Sequence, residues 1–212
     1  FDYSYRYFYE DGYGKEYRIL NMEDDSQDEQ RYRYLCACLL AFYQQQKVFH
    51  LERAQAQAYL IEKPLWVFVG GSVKAVYQRN KRQVSDVLDV ILFLAEFASS
   101  KNEGRNKRLL DYFLNGEAGL LDEHGNDIFE QSFRYLASQN FSAEDVYQDI
   151  LQNLFASQSP ARLVVENLKG TDGEIGLRLG DNDYFGLVNV GDANKLCKLA
   201  EDFADELTVE EQ

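Results

Sequence analysis

An apolar run of five, Leu65-Trp66-Val67-Phe68-Val69, stops abruptly at Gly70-Gly71-Ser72. A run of this length and composition reads as a strand buried on both faces, as in a parallel sheet. Paired glycines beyond it allow a sharp turn and close approach of another group to the backbone. Lys74, Arg79, Lys81 and Arg82 follow. In open α/β sheets, ligands bind beyond the carboxyl ends of the strands, so the feature predicts an α/β fold with an anion-facing loop.

Charge sharpens the same place. The net charge is −14, yet residues 63–108 hold nine basic side chains against four acidic ones, and none of 63–85 is acidic. An acidic chain disfavours indiscriminate nucleic-acid binding, but one basic strip can still track a phosphate backbone. A solvated turn explains Arg79 to Arg82 equally well from charge alone.

A chain of 212 residues with 45% hydrophobic content and only two prolines can bury a sizeable core. No run of eighteen apolar residues occurs, so no membrane span is expected. The first residue is Phe1 and the sole methionine is Met22, which reads as a fragment of a longer polypeptide. Cys36, Cys38 and Cys197 lack the spacing of a zinc site and read as reduced thiols of a cytoplasmic protein.

Periodicity lays out the elements. Tyr3, Tyr5, Tyr7 and Tyr9 alternate with other residues, which predicts a strand; Asp11-Gly12-Tyr13-Gly14 is a turn, with Lys15–Leu20 a possible return strand. An aromatic ladder of this kind packs in a sheet or stacks bases. Residues 29–58 carry helical spacing and Pro64 introduces the apolar run. Ser85 and Asp86 suit a helix start, and Val87–Phe97 is apolar nearly all round. Lys101–Arg108 reads as a polar connection, Lys107–Asn115 as a helix closed by Gly116, Gly119–Asp127 as a loop and Phe129–Gln139 as a helix. Ser142-Ala-Glu-Asp145 has the form of a capping box. Then Arg162–Leu168 and Glu174–Leu179 form a hairpin about Gly170–Gly173, Tyr184–Val190 is a strand, and Asp192 caps a helix over Ala193–Leu207.

Catalytic patterns fail on their spacing. Gly12-Tyr13-Gly14-Lys15-Glu16 places Glu where a Walker A loop needs Ser or Thr. Asp122-Glu123-His124 is flanked by Gly119 and Gly125 and reads as a loop. His50 and His124 have no partner pattern. Glu166, Lys169, Asp172 and Glu174 have the wrong spacing for a metal nuclease. No catalytic or metal-binding residue is assigned.

Four strings, Tyr7–Lys15, Glu62–Gly70, Leu168–Leu177 and Phe185–Asp192, are long and odd in composition. Together they resemble the DEAD/DEAH-box helicase family related to the Res subunit of type III restriction enzymes, nearly end to end. The resemblance implies an internal fragment of an ATP-dependent DNA helicase or translocase of a prokaryotic restriction system. It implies that residues 1–62 are a linker hairpin and long helix following the first RecA-like domain. Residues 63–212 would be part of the second RecA-like, P-loop NTPase-like domain, with a helical insertion at about 85–156. ATP and Mg2+ would bind the parent protein on residues outside this chain, as would any nuclease domain, so the fragment alone is expected to be inactive. Gly70, Gly71, Ser72 and Lys74 would face the DNA backbone, with Arg79, Lys81 and Arg82 extending the strip. A methyltransferase subunit is a possible second partner. The alternative is a non-catalytic α/β module that binds a protein through its helical insertion.

Overall fold

The segment after Ser85 organises the molecule because almost every turn of it is apolar. In the computed structural model, which describes residues 4–12, 28–68, 76–79, 82–168 and 173–211, the elements in order are α1 (Tyr5–Glu10), α2 (Asp28–Leu51), α3 (Arg53–Ala58), β1 (Val76–Arg79), β2 (Arg82–Ser85), α4 (Asp86–Ala98), α5 (Glu103–Leu114), α6 (Arg134–Ser138), α7 (Ala143–Leu154), β3 (Leu163–Asn167), β4 (Glu174–Leu179), β5 (Tyr184–Asn189), α8 (Ala193–Glu201) and β6 (Leu207–Glu211). The fold is mixed α/β. Helix α4 packs against α2, α5, α8, β2 and β3, which leaves little of it to solvent. Leu88, Ile91, Phe93, Phe97 and Ala98 are all buried.

The four-stranded sheet runs β5-β4-β3-β6. Strands β3, β4 and β5 form an antiparallel meander, whereas β6 returns through α8 to lie parallel to β3. One face supplies Leu163, Val165, Ile175, Leu177, Leu179 and Leu207 to the core. The other is polar. There Glu166 and Glu210 lie side by side in register, two like charges that would repel. Arg178 of β4 reaches both, at 3.1 and 2.6 Å, and offsets their repulsion.

Several sequence expectations hold. The Ser85 hydroxyl accepts the Leu88 amide of α4, and Asp192 accepts the Lys195 amide of α8. Ser142 and Asp145 form a reciprocal box at the start of α7. Strands β3 and β4 pair as the expected hairpin.

Others are corrected. Leu65–Phe68 is not a buried strand: among the described residues it joins no ladder, and Leu65 and Val67 are 82% and 70% exposed. An apolar run reports that a segment wants cover, not which partner supplies it. Here the four-stranded sheet is drawn from residues 163–211, so its strands close shorter loops, at less cost in chain entropy, than pairing with Leu65–Phe68 would. The Tyr3–Tyr9 alternation gives a helix instead of a strand over Tyr5–Glu10. Arg6 and Glu10, one helical turn apart, pair at 2.8 Å, and Gly12 with φ +81° follows its end. The proposed return strand 15–20 lies outside the described residues. The 29–58 helix is two helices broken at Glu52. The connection 101–108 is already helical from Glu103, because its cations are paired locally: Lys107 meets Glu103 and Glu144, and Arg105 meets Glu29 and Glu96. Residues 129–133 are turns and only Arg134–Ser138 is helical there. Helix α8 stops at Glu201, and the unexpected strand β6 begins at Leu207. The basic stretch forms the hairpin β1–β2, with Arg79 opposite Arg82.

The capping box gives a pH-dependent prediction. Hydrogen bonds from the Ser142 hydroxyl and amide hold the Asp145 carboxyl below its usual 3.8. A carboxyl depressed by folding stabilises the native state above its unfolded value, and that contribution is lost as pH falls below about 4. Ser142→Ala should therefore lower stability by about 0.5–2 kcal/mol at pH 7. In urea melts its deficit should shrink as pH falls from 5 towards 3; a deficit independent of pH would contradict the assignment.

Candidate nucleic-acid interface and the adjoining groove

The apolar segment after Pro64 is held to the long helix α2 by two devices. Gln46, buried on α2, donates from Nε2 to the Pro64 carbonyl at 2.6 Å. Trp66 turns inward between Phe42, 5.8 Å away, and Phe68, 4.4 Å away. The flanking Leu65 and Val67 point outward as a consequence of side-chain alternation. They form one wall of a groove of about 1140 Å³.

Strand β5 forms the opposite wall with Gly186, Leu187 and Val188. The floor is made by Ile91 and Leu94 of α4 and by Phe155. Phe185 is fixed against Phe155 at 4.8 Å, and Phe155 stacks in turn on Phe97. At one end lies the turn Val190-Gly191-Asp192 leading into α8. That turn is anchored by a glycine: the Val190 amide donates to the Gly173 carbonyl at 2.8 Å. Gly173 has φ +82°, and a Cβ on it would run into the Val190 carbonyl oxygen.

Of the seven residues expected at the DNA backbone, Gly70, Gly71, Ser72, Lys74 and Lys81 lie outside the described residues. Arg79 is placed by its backbone in β1, directly opposite Arg82 in β2. Arg82 is described in full. Its guanidinium lies 5.0 Å from the centre of the Phe203 ring and pairs with Glu206 at 3.1 Å and Asp205 at 3.7 Å. A phosphate contact by Arg82 would have to compete with those carboxylates.

The dismissed motifs find structural roles. Asp122 Oδ1 accepts the amides of His124 and Asn126 at 2.8 and 2.9 Å. Those bonds, Asn126's foremost, hold its carboxyl below the usual range and fold the loop on itself. Glu166 is buried against Arg178, while Lys169 and Asp172 lie outside the described residues. Cys36 and Cys197 are buried, and none of the three cysteines forms a disulfide. Burial pushes the Cys38 thiol up to about 11, so it stays protonated and is a poor metal ligand or nucleophile at neutral pH. Among the described residues no group of three His, Cys, Asp or Glu side chains is arranged to hold a metal ion. None of their helices is long and apolar enough to cross a membrane.

Sequence reading missed the groove because its walls are more than a hundred residues apart. One local signal was present: Tyr184–Asn189 is a strand without a charge or a proline, the two commonest protections of a sheet edge.

No protein-family model matches the chain, and neither a curated protein nor a solved structure matches it.

Gly173→Ala tests the anchoring of the groove's end. A non-glycine residue in the left-handed region costs roughly 1–2 kcal/mol, and displacement of the Val190 carbonyl adds to it. Chemical denaturation should show a loss at least that large; an unchanged midpoint would refute the role given to Gly173.

Proposed function

We propose that this chain is part of an ATP-dependent DNA helicase or translocase of the type III restriction enzyme Res-like family. It contributes DNA-backbone contacts and part of the second, RecA-like motor domain, into which residues 85–156 are inserted. The observation that carries the reading is a convergence. Of the strings resembling that family, those at 62–70, 168–177 and 185–192 meet: Leu65–Phe68 lies more than a hundred residues from Leu177 and Phe185–Asp192, yet all three line a single groove. Strands β4 and β5 meet as neighbours in sequence, so the support lies in Leu65–Phe68 being brought to them.

In such a motor, nucleic acid crosses both domains and ATP binds between them, so closure and reopening move the strand. The task of this chain is then to hold phosphates without reading bases, through Gly70, Gly71, Ser72 and Lys74, which directly follow the groove's first wall, and through the basic hairpin beyond them. ATP, Mg2+ and the hydrolytic residues belong to the parent polypeptide, and a methyltransferase subunit is a candidate partner of that parent. The alternative of a protein-binding module acting through the helical insertion has less support. The exposed large apolar residues of 85–156 are Tyr112, Leu121 and Phe141, scattered over separate elements.

The test is the salt dependence of DNA binding. The chain should bind duplex DNA weakly at low salt, and the quadruple variant K74A/R79A/K81A/R82A should bind less. Each phosphate that the variant no longer neutralises should flatten the slope of log K against log salt by about 0.9. Unchanged affinity and slope in the quadruple variant would overturn the proposal.

A further inference from the structure

The turn that joins α8 to β6 carries two carboxylates to the basic hairpin. Glu206 accepts from Arg82 Nη1 through both oxygens, at 3.1 and 3.3 Å, and an Asp205 oxygen lies 3.7 Å from Nη2. The Phe203 ring, 5.0 Å from the guanidinium, gives the planar fork a surface to stack on. Amides of Glu206 and Leu207 close the turn by donating to the Phe203 carbonyl. Arg162, just before β3, clamps the same turn. It donates to the carbonyls of Ala204, Asp205 and Leu207 and to the Thr208 hydroxyl. The two carboxylates are thus placed by a turn that does not depend on Arg82.

These groups line a cleft of about 660 Å³ together with Lys101 and Glu96. Glu96 is turned to Arg105 at 2.5 Å, and Arg162 is spent on carbonyls. That leaves Arg82 and Lys101, among the described lining residues, as the cations an entering anion would meet. Carboxylate and phosphate offer a guanidinium fork the same pair of acceptor oxygens. We infer that Asp205 and Glu206 form an acid latch: they stand in for a DNA phosphate on Arg82 and must be displaced before Arg82 joins the DNA track. The inference rests on the DNA-backbone reading above and adds its regulation. The Arg82 and Glu206 side chains are 37% and 45% exposed, so water screens the pair and its hold amounts to a few-fold in affinity. A polyanion already gripped by neighbouring cations opens the latch. An isolated phosphate has to compete with two carboxylates tethered beside Arg82 at high effective concentration.

The experiment is a double-mutant cycle read by anisotropy of a fluorescein-labelled duplex at low salt. Four forms of the chain are titrated: the parent, D205N/E206Q, R82Q and R82Q/D205N/E206Q. The amides keep the shapes of the acids, and R82Q removes the charge while keeping part of the stem over Phe203; circular dichroism checks that each form is folded. D205N/E206Q should bind roughly two- to fivefold tighter than the parent. Its slope of log K against log salt should be steeper by about 0.9, for the phosphate that Arg82 gains. In the R82Q background the same two substitutions should leave the slope unchanged and recover less than half of the gain. Recovery of half or more would overturn the inference, because the carboxylates would then act only as general negative charge. So would the absence of any gain with Arg82 present. Either of those results leaves the DNA reading standing. No binding by any of the four forms overturns that reading and the inference with it.

Discussion

The carbonyl of Phe97 is the point on which the helical half of the molecule closes. Asn106 of α5 donates to it at 2.8 Å, Tyr147 of α7 donates at 3.2 Å, and Tyr32 of α2 donates to Asn106 at 2.6 Å. One backbone oxygen near the end of α4 therefore ties together all four packed helices. The network is fully buried, and every buried side-chain polar atom of the described residues has a partner. In such surroundings a missing partner would cost the full desolvation of the group left behind. The Arg105 guanidinium covers the Tyr32 ring 3.8 Å from its centre. Tyr32 is thus held in the core with its hydroxyl protonated, its titration pushed well above the ordinary range chiefly by burial.

That closure positions the groove. The Phe97 ring stacks on Phe155, which holds Phe185 and with it the start of β5. The same helix α4 supplies the groove floor through Ile91 and Leu94. The α2 helix, fastened through Tyr32, carries Gln46 and Phe42, which hold the Pro64–Trp66 segment. Both walls therefore trace back to the one buried network, although they come from distant parts of the chain. The basic hairpin β1–β2 runs directly into α4 at Ser85 and so inherits its position from the same core.

What the sequence revealed follows the range of the interactions involved. Helix caps at Ser85, Ser142 and Asp192 are contacts within three residues, and each was legible. So was the β3–β4 hairpin, whose strands are close in sequence and alternate clearly. Leu65–Phe68 was misread because its neighbours, Gln46, Phe42 and β5, lie far along the chain and the run alone cannot name them. Strand β6 was hidden inside an apparent continuation of α8, since Leu207 continues the helical spacing of Leu196, Leu199 and Phe203 and only the pairing with β3 decides. At the tyrosine-rich start, Ser4, Arg6 and Glu10 between the tyrosines fit the alternation of a strand, and the Arg6–Glu10 spacing of one helical turn was the better guide. The site was legible only as a basic strip of uneven charge. Its neutralising partners, Asp205 and Glu206, are more than a hundred residues away in sequence and meet Arg82 only in the folded chain.

The proposed function has this surface grip nucleic acid by its phosphates and ignore the bases. The most direct measurement compares two duplexes of equal length and unrelated sequence at the same low salt. Phosphate contacts predict dissociation constants within about twofold of each other, in or below the roughly 10⁻⁴–10⁻⁶ M range of non-specific binding. A hundredfold preference for one duplex, or no binding to either, would contradict the account.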